Sequence, residues 1–197
     1  MAPRRSRWIS LVALLTALAV VLNGLTVPAP FAGFLLYGIW EIPVLLALLM
    51  LGFWGGVTVA ALNGVALEFV NPGGLPTGPF YNFIAEVSMF VGILALQRVA
   101  RSKRLGWPTV VAGGTAAGAL TRTGVMTVVN WFALAQPYPI GFGPFVTQAQ
   151  VPGYLVLIGA FNITASLYII PVAFSISKGV ATRFAPKSAS PAQPFTP

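Results

Sequence analysis

The sequence predicts an all-α integral membrane protein, a bundle of six transmembrane helices with N- and C-termini both cytoplasmic. Three observations carry this. Of the 197 residues 57% are hydrophobic and 7% charged, with a mean hydropathy of +0.86, more apolar surface than a soluble domain of this size could cover. The net charge of +8 is not spread along a polar face, as a nucleic-acid partner would require, but gathered at the ends of apolar runs. Six spans place the three basic clusters on one side: Arg4, Arg5 and Arg7; Arg98, Arg101, Lys103 and Arg104; Lys178 and Arg183. By the positive-inside rule that side is the cytoplasm, and the loops at 23–36, 71–80 and 136–153, which lie outside, carry no charge.

The first span is expected at about 8–22, after the basic start. Ala13 and Ala17 give it small-xxx-small spacing, which lets another helix approach closely. A cleavable signal peptide is the alternative reading of this run, and topology does not decide between them, because cleavage leaves the other spans in the same orientation. Pro28 and Pro30 break any helix before a second span at about 38–51, which Phe34-Leu35-Leu36-Tyr37 leads into and which starts with Glu41 and Pro43. Gly52-Phe53-Trp54-Gly55-Gly56 turns the chain into a third span, 54–70, carrying Asn63 and Glu68. The stretch Gly73 to Glu86 then passes from a Gly/Pro loop into a fourth span, 80–97, with Asn82 and Glu86 one turn apart on an apolar helix. Pro108 opens a fifth, 108–134, with Arg122 near its middle and Asn130 near its end. The sixth, 154–176, contains Asn162 and Pro171. Residues 1–184 form one membrane domain, and the Pro/Ala/Ser tail 185–197 reads as disordered. Trp8, Trp40, Trp54, Trp107 and Trp131 each fall near a proposed span end, where interfacial tryptophans belong.

The embedded polar groups carry the chemistry. Arg122 in mid-span costs about 2.5–3.5 kcal/mol on insertion scales, so it needs a partner or water. Glu86 and Glu68 are the candidates, making Glu68, Glu86 and Arg122 an intramembrane network whose bland reading is helix packing. Asn63, Asn82, Asn130 and Asn162 offer both donors and acceptors, suited to an uncharged ligand with amide-like edges, although any one of them alone could be interhelical glue. Asn82 and Asn130 lie in the outer half, where aromatic loops could cover a ligand. There is no cysteine and no histidine, so thiol nucleophiles and Cys or His metal sites are excluded. With three scattered carboxylates, an enzyme would need an unusual Ser or Asn site. A self-contained channel or proton-coupled carrier using Glu68, Glu86 and Arg122 as a relay remains the other class.

At these residues the chain resembles the S components, the substrate-binding membrane subunits of energy-coupling factor vitamin transporters, and within them the riboflavin-specific branch. The resemblance runs from the first span to Ser177. It rests on Phe34-Leu35 before Glu41-Ile42-Pro43, the Gly-rich turn after span two, Gly78 with Asn82-Phe83-Ile84-Ala85, Met126-Thr127-Val128-Val129-Asn130-Trp131, and Phe161-Asn162. It implies a six-helix bundle that holds a vitamin, riboflavin or a related flavin, near its outer face under the first loop. Leu36 and Tyr37 are expected to sandwich the ligand, and Glu41, Asn82, Asn130 and Asn162 to complete the binding set. Ala13 and Ala17 match the first-helix motif that docks the transmembrane coupling subunit. The chain has no Gly-x-x-x-x-Gly-Lys-Ser/Thr loop, so ATP hydrolysis is expected on two separate ATP-binding subunits, with no cofactor or metal on this chain. The resemblance also implies a subunit that topples in the plasma membrane to release its cargo inside. Ala165 departs from the pattern by standing where the riboflavin branch carries a lysine, and Asn63 by standing where span three would carry one.

Overall fold

The computed structural model describes residues 2–70, 75–143 and 145–184. Their elements run α1 (Ala2–Leu22), β1 (Thr26–Ala29), β2 (Ala32–Gly38), α2 (Glu41–Leu51), α3 (Phe53–Val70), α4 (Gly78–Lys103), α5 (Trp107–Ala133) and α6 (Val151–Phe184). The tail 185–197 and Gly73-Gly74, with the rest of 71–74, lie outside the described residues.

Among the described residues four helices, α1, α3, α4 and α6, are long and apolar enough to cross a membrane, which makes this a multi-pass membrane protein. At 11 residues α2 rises only about 16 Å, half of a hydrocarbon core of roughly 30 Å. Glu41, Pro43 and Val44 through Leu48 of this helix are all buried. α4 continues past its apolar part through Arg101 and Lys103. It ends at Arg104, whose left-handed backbone lets its N–H cap the carbonyls of Ala100 and Arg101.

The expectation of an all-α chain is corrected between 26 and 38. There the segment read as a loop leading into the second span is an antiparallel hairpin, pairing Thr26 with Gly38, Val27 with Tyr37 and Pro28 with Leu36, with an irregularity at Ala29. Proline has no N–H for a helix but is tolerated in a two-stranded ribbon with free edges, and Thr26 and Val27 favour extended backbone. Because β2 takes up the residues through Gly38, α2 starts only at Glu41.

The helices pack through small residues, as membrane helices do where neither partner gains from leaving water. At Gly92 of α4 a side chain would meet the Ala117 carbonyl oxygen and the Thr121 hydroxyl of α5 at 2.4 Å. Gly114 and Gly118 of α5 lie against Phe174 and Ile170 of α6. The core so enclosed contains Val44, Leu45, Val59, Met89, Phe90, Ile93, Ile169, Ile170 and Phe174, all fully buried. From α1, Val12, Leu15 and Ala19 join it.

The hairpin sits at the end of the bundle shared by the 134–150 loop and the start of α4. There the Thr77 hydroxyl donates to the Pro139 carbonyl at 2.7 Å and the Tyr81 hydroxyl to that of Ile140 at 2.6 Å. We refer to this as the loop end, and to the opposite end, where α4 closes on Arg101 and Lys103, as the basic end.

Substituting Gly92→Ala forces α4 away from the backbone of α5 and should cost about 1–3 kcal/mol. Gly124→Ala, where a side chain meets nothing within 4 Å, should be neutral. Thermal unfolding of both variants in detergent checks the pair.

Candidate functional site

The strongest polar constellation in the bundle is built by α2, α5 and α6. Arg122 of α5 reaches Glu41, the first residue of α2, with both terminal nitrogens: Nη2 donates to Oε1 at 2.9 Å and Nη1 to Oε2. Its Nε donates to Asn162 Oδ1 of α6 at 2.8 Å. All three side chains are within 5% of full burial. A bidentate guanidinium–carboxylate pair is the geometry in which a buried charge is best compensated. Local structure prepares each partner. Glu41 lies in the first turn of α2, where a negative charge meets the positive end of the helix dipole. Asn162 Nδ2 donates back to the Ile158 carbonyl at 2.9 Å, which leaves its oxygen aimed at Arg122.

This differs from the expected partnership. Neither Glu86 nor Glu68 bonds Arg122; Glu41 does. Glu86 of α4 is 1% exposed, and its Oε1 has no hydrogen-bond partner among the described residues. Glu68 stands apart, exposed near the end of α3. The spacing that made Glu68 and Glu86 candidates concerned their own helices, whereas the pair is decided by which helices become neighbours.

Above this layer lies an aromatic wall. Tyr37 of β2 stacks on Phe161 of α6, with centroids 4.8 Å apart and planes at 26°, and its hydroxyl bonds the Thr164 hydroxyl. The Tyr168 hydroxyl donates to the Gly38 carbonyl at 2.7 Å, fastening the hairpin to α6. Phe34 meets Tyr154 edge to face at 5.6 Å. Thr164 and Tyr168 were not singled out from sequence; with Phe161 they recur at helical spacing on one face of α6, a signal that a periodicity reading of that face contains.

Leu36 is exposed on β2. Asn130 is half-buried on the same stripe of α5 as Arg122 and Met126; its Nδ2 donates to the Met126 carbonyl at 2.7 Å, leaving Oδ1 available as an acceptor. Asn82 is exposed at the start of α4, not part of the buried layer. Asn63 is buried and accepts from Asn23 Nδ2 at 3.4 Å, bridging α3 to the end of α1. Ala13 and Ala17 are exposed, on the side of α1 away from its buried Val12, Leu15 and Ala19. Ala165 is buried in the bundle, so it offers nothing to a ligand.

No protein-family model matches the chain. Over 132 residues it is 28% identical to a riboflavin transporter, RibU, of Staphylococcus aureus (strain TCH60), covering 66% of this chain and 67% of that relative. It also superposes on the solved S component of a bacterial ECF transporter with a TM-score of 0.75 at 23% identity, covering 92% of this chain and 99% of the other. The fold is that of an S component.

Removing one member of the buried pair strands the other charge. Glu41→Gln or Arg122→Gln should each cost about 3–5 kcal/mol, and the double variant should recover most of that loss. A double-mutant cycle on detergent unfolding measures the coupling.

Proposed function

We propose that this chain, with its S-component fold, is the substrate-capturing membrane subunit of an ATP-driven vitamin uptake transporter, and that its ligand is riboflavin or a closely related flavin. The observation that carries this reading is the likeness to a riboflavin transporter over about two thirds of both chains. Function here is capture, not catalysis.

The ligand enters at the loop end, which the positive-inside rule puts outside the plasma membrane. Leu36 and Tyr37 give the flat ring an apolar and aromatic face, and the free Oδ1 of Asn130 accepts from its polar edge. Asn82 contributes from the mouth. Glu41 and Asn162 act from beneath, because both are committed to Arg122 and hold the floor of the pocket in place. Displacing Tyr37 from Phe161 opens a slot between two aromatic rings into which a third can insert. The exposed Ala13 and Ala17 dock the transmembrane coupling subunit, and two ATP-binding subunits supply the energy.

A self-contained proton-coupled carrier is the second reading, favoured by Glu86, a buried carboxyl with one unpartnered oxygen. Glu86→Gln separates the two: it removes a proton relay and leaves flavin capture intact.

The test is titration of the detergent-purified chain with riboflavin, following quenching of flavin fluorescence, with thiamine and biotin as competitors. Saturable quenching that neither competitor reverses is expected. Asn130→Ala should weaken it about tenfold, the value of one hydrogen bond left unmade in a dry site. Absence of saturable quenching overturns the flavin assignment.

A further inference from the structure

Glu68 is the carboxylate that the buried network leaves out. It lies 14 residues beyond Trp54 on α3, about 21 Å along the helix, and α3 itself, at 18 residues, matches the roughly 30 Å hydrocarbon thickness. Glu68 stands two residues before Val70, in the last turn of α3 at the loop end, next to the headgroup layer. It has no hydrogen bond or ion pair among the described residues. The neighbouring loops contain no lysine or arginine that could neutralise it.

Glu68 borders a groove of about 280 Å³ between the loop-end halves of α3 and α4, walled by Ala61, Gly64 and Val65 on one side and Phe80 and Phe83 on the other. The small side chains at 61 and 64 open it, and the exposed Val65 and Phe80 continue it onto the lipid-facing surface. Its volume falls just below the range of pockets that enclose a whole small-molecule ligand, about 300–1,000 Å³. Glu68 is its one ionisable lining residue, so it offers nothing to read the edges of a polar nutrient. What it matches is a molecule with a cationic N–H donor at the interface and a hydrocarbon tail below it.

We propose that this groove is a lipid site selective for a primary ammonium headgroup. The ammonium donates to the Glu68 carboxylate, the lipid phosphate stays in the aqueous headgroup layer, and one acyl chain lies along Val65, Phe80 and Phe83. A quaternary ammonium has no N–H to donate, and an anionic headgroup sets like charge against Glu68, so both are discriminated against. The groove is separate from the hairpin and from the Arg122 layer, so lipid retention and riboflavin quenching report on different sites.

The test is native mass spectrometry of the full chain in detergent, supplied with phosphatidylethanolamine, phosphatidylcholine and phosphatidylglycerol of identical acyl chains. The wild type should retain the ethanolamine lipid about fivefold over the choline lipid, the scale of one ion pair at an interface. Glu68→Gln should bring that ratio to about one, and Ala61→Leu, which fills the groove from an exposed position, should reduce retention of the ethanolamine lipid. Equal retention of all three lipids by the wild type, or an unchanged preference in Glu68→Gln, overturns the proposal. The thermal midpoint of each variant confirms that it is folded, which is expected because both positions are exposed.

Discussion

The bundle depends on one ion pair. A lone arginine in the middle of a membrane helix is expensive, and a lone glutamate nearly as much so; Arg122 and Glu41 remove both penalties by meeting two nitrogens to two oxygens. Asn162 takes the third face of the guanidinium, so a single side chain of α5 ties together α2 and α6. The geometry also explains why a helix as short as α2 has a fixed place. Its apolar residues pack on every side, but its N-terminal carboxylate gives it a register.

On that floor the polar groups divide by availability. Glu41 and Asn162 are spent on Arg122, whereas Asn130 keeps an acceptor free and Tyr37 keeps its ring in a stack that another ring could replace. The hairpin makes this arrangement possible. Its two strands pair along their inner edges and leave the outer edges free at the loop end, and it is fastened to α6 through Tyr37, Tyr168 and the Phe34–Tyr154 contact, with Leu36 left exposed.

Much of this was legible in the residues. Prolines, glycines and terminal tryptophans mark where helices begin and end, and the six helices appear in the order the apolar runs suggest. Arg122, Asn130 and Asn162 stood out as polar groups in greasy surroundings. The partner of Arg122 did not, because Glu41 reads as a residue at a span boundary until the tertiary fold brings α2 beside α5 and α6. The hairpin was hidden for a different reason: β1 is four residues long with proline in it, and no alternation of polar and apolar residues develops. Glu68 looked like a member of the intramembrane network because its depth depends on where α3 ends, which spacing alone leaves open.

The two ends of the ion pair are separated by 81 residues of chain. At synthesis rates of about 5–20 residues per second, Arg122 follows Glu41 from the ribosome by roughly 4–16 s. Through that interval Glu41 is without the guanidinium that it meets in the folded bundle. The polar layer can therefore be completed only after α5 and then α6 have been made, since Arg122 and Asn162 both follow α1 to α4 in the chain.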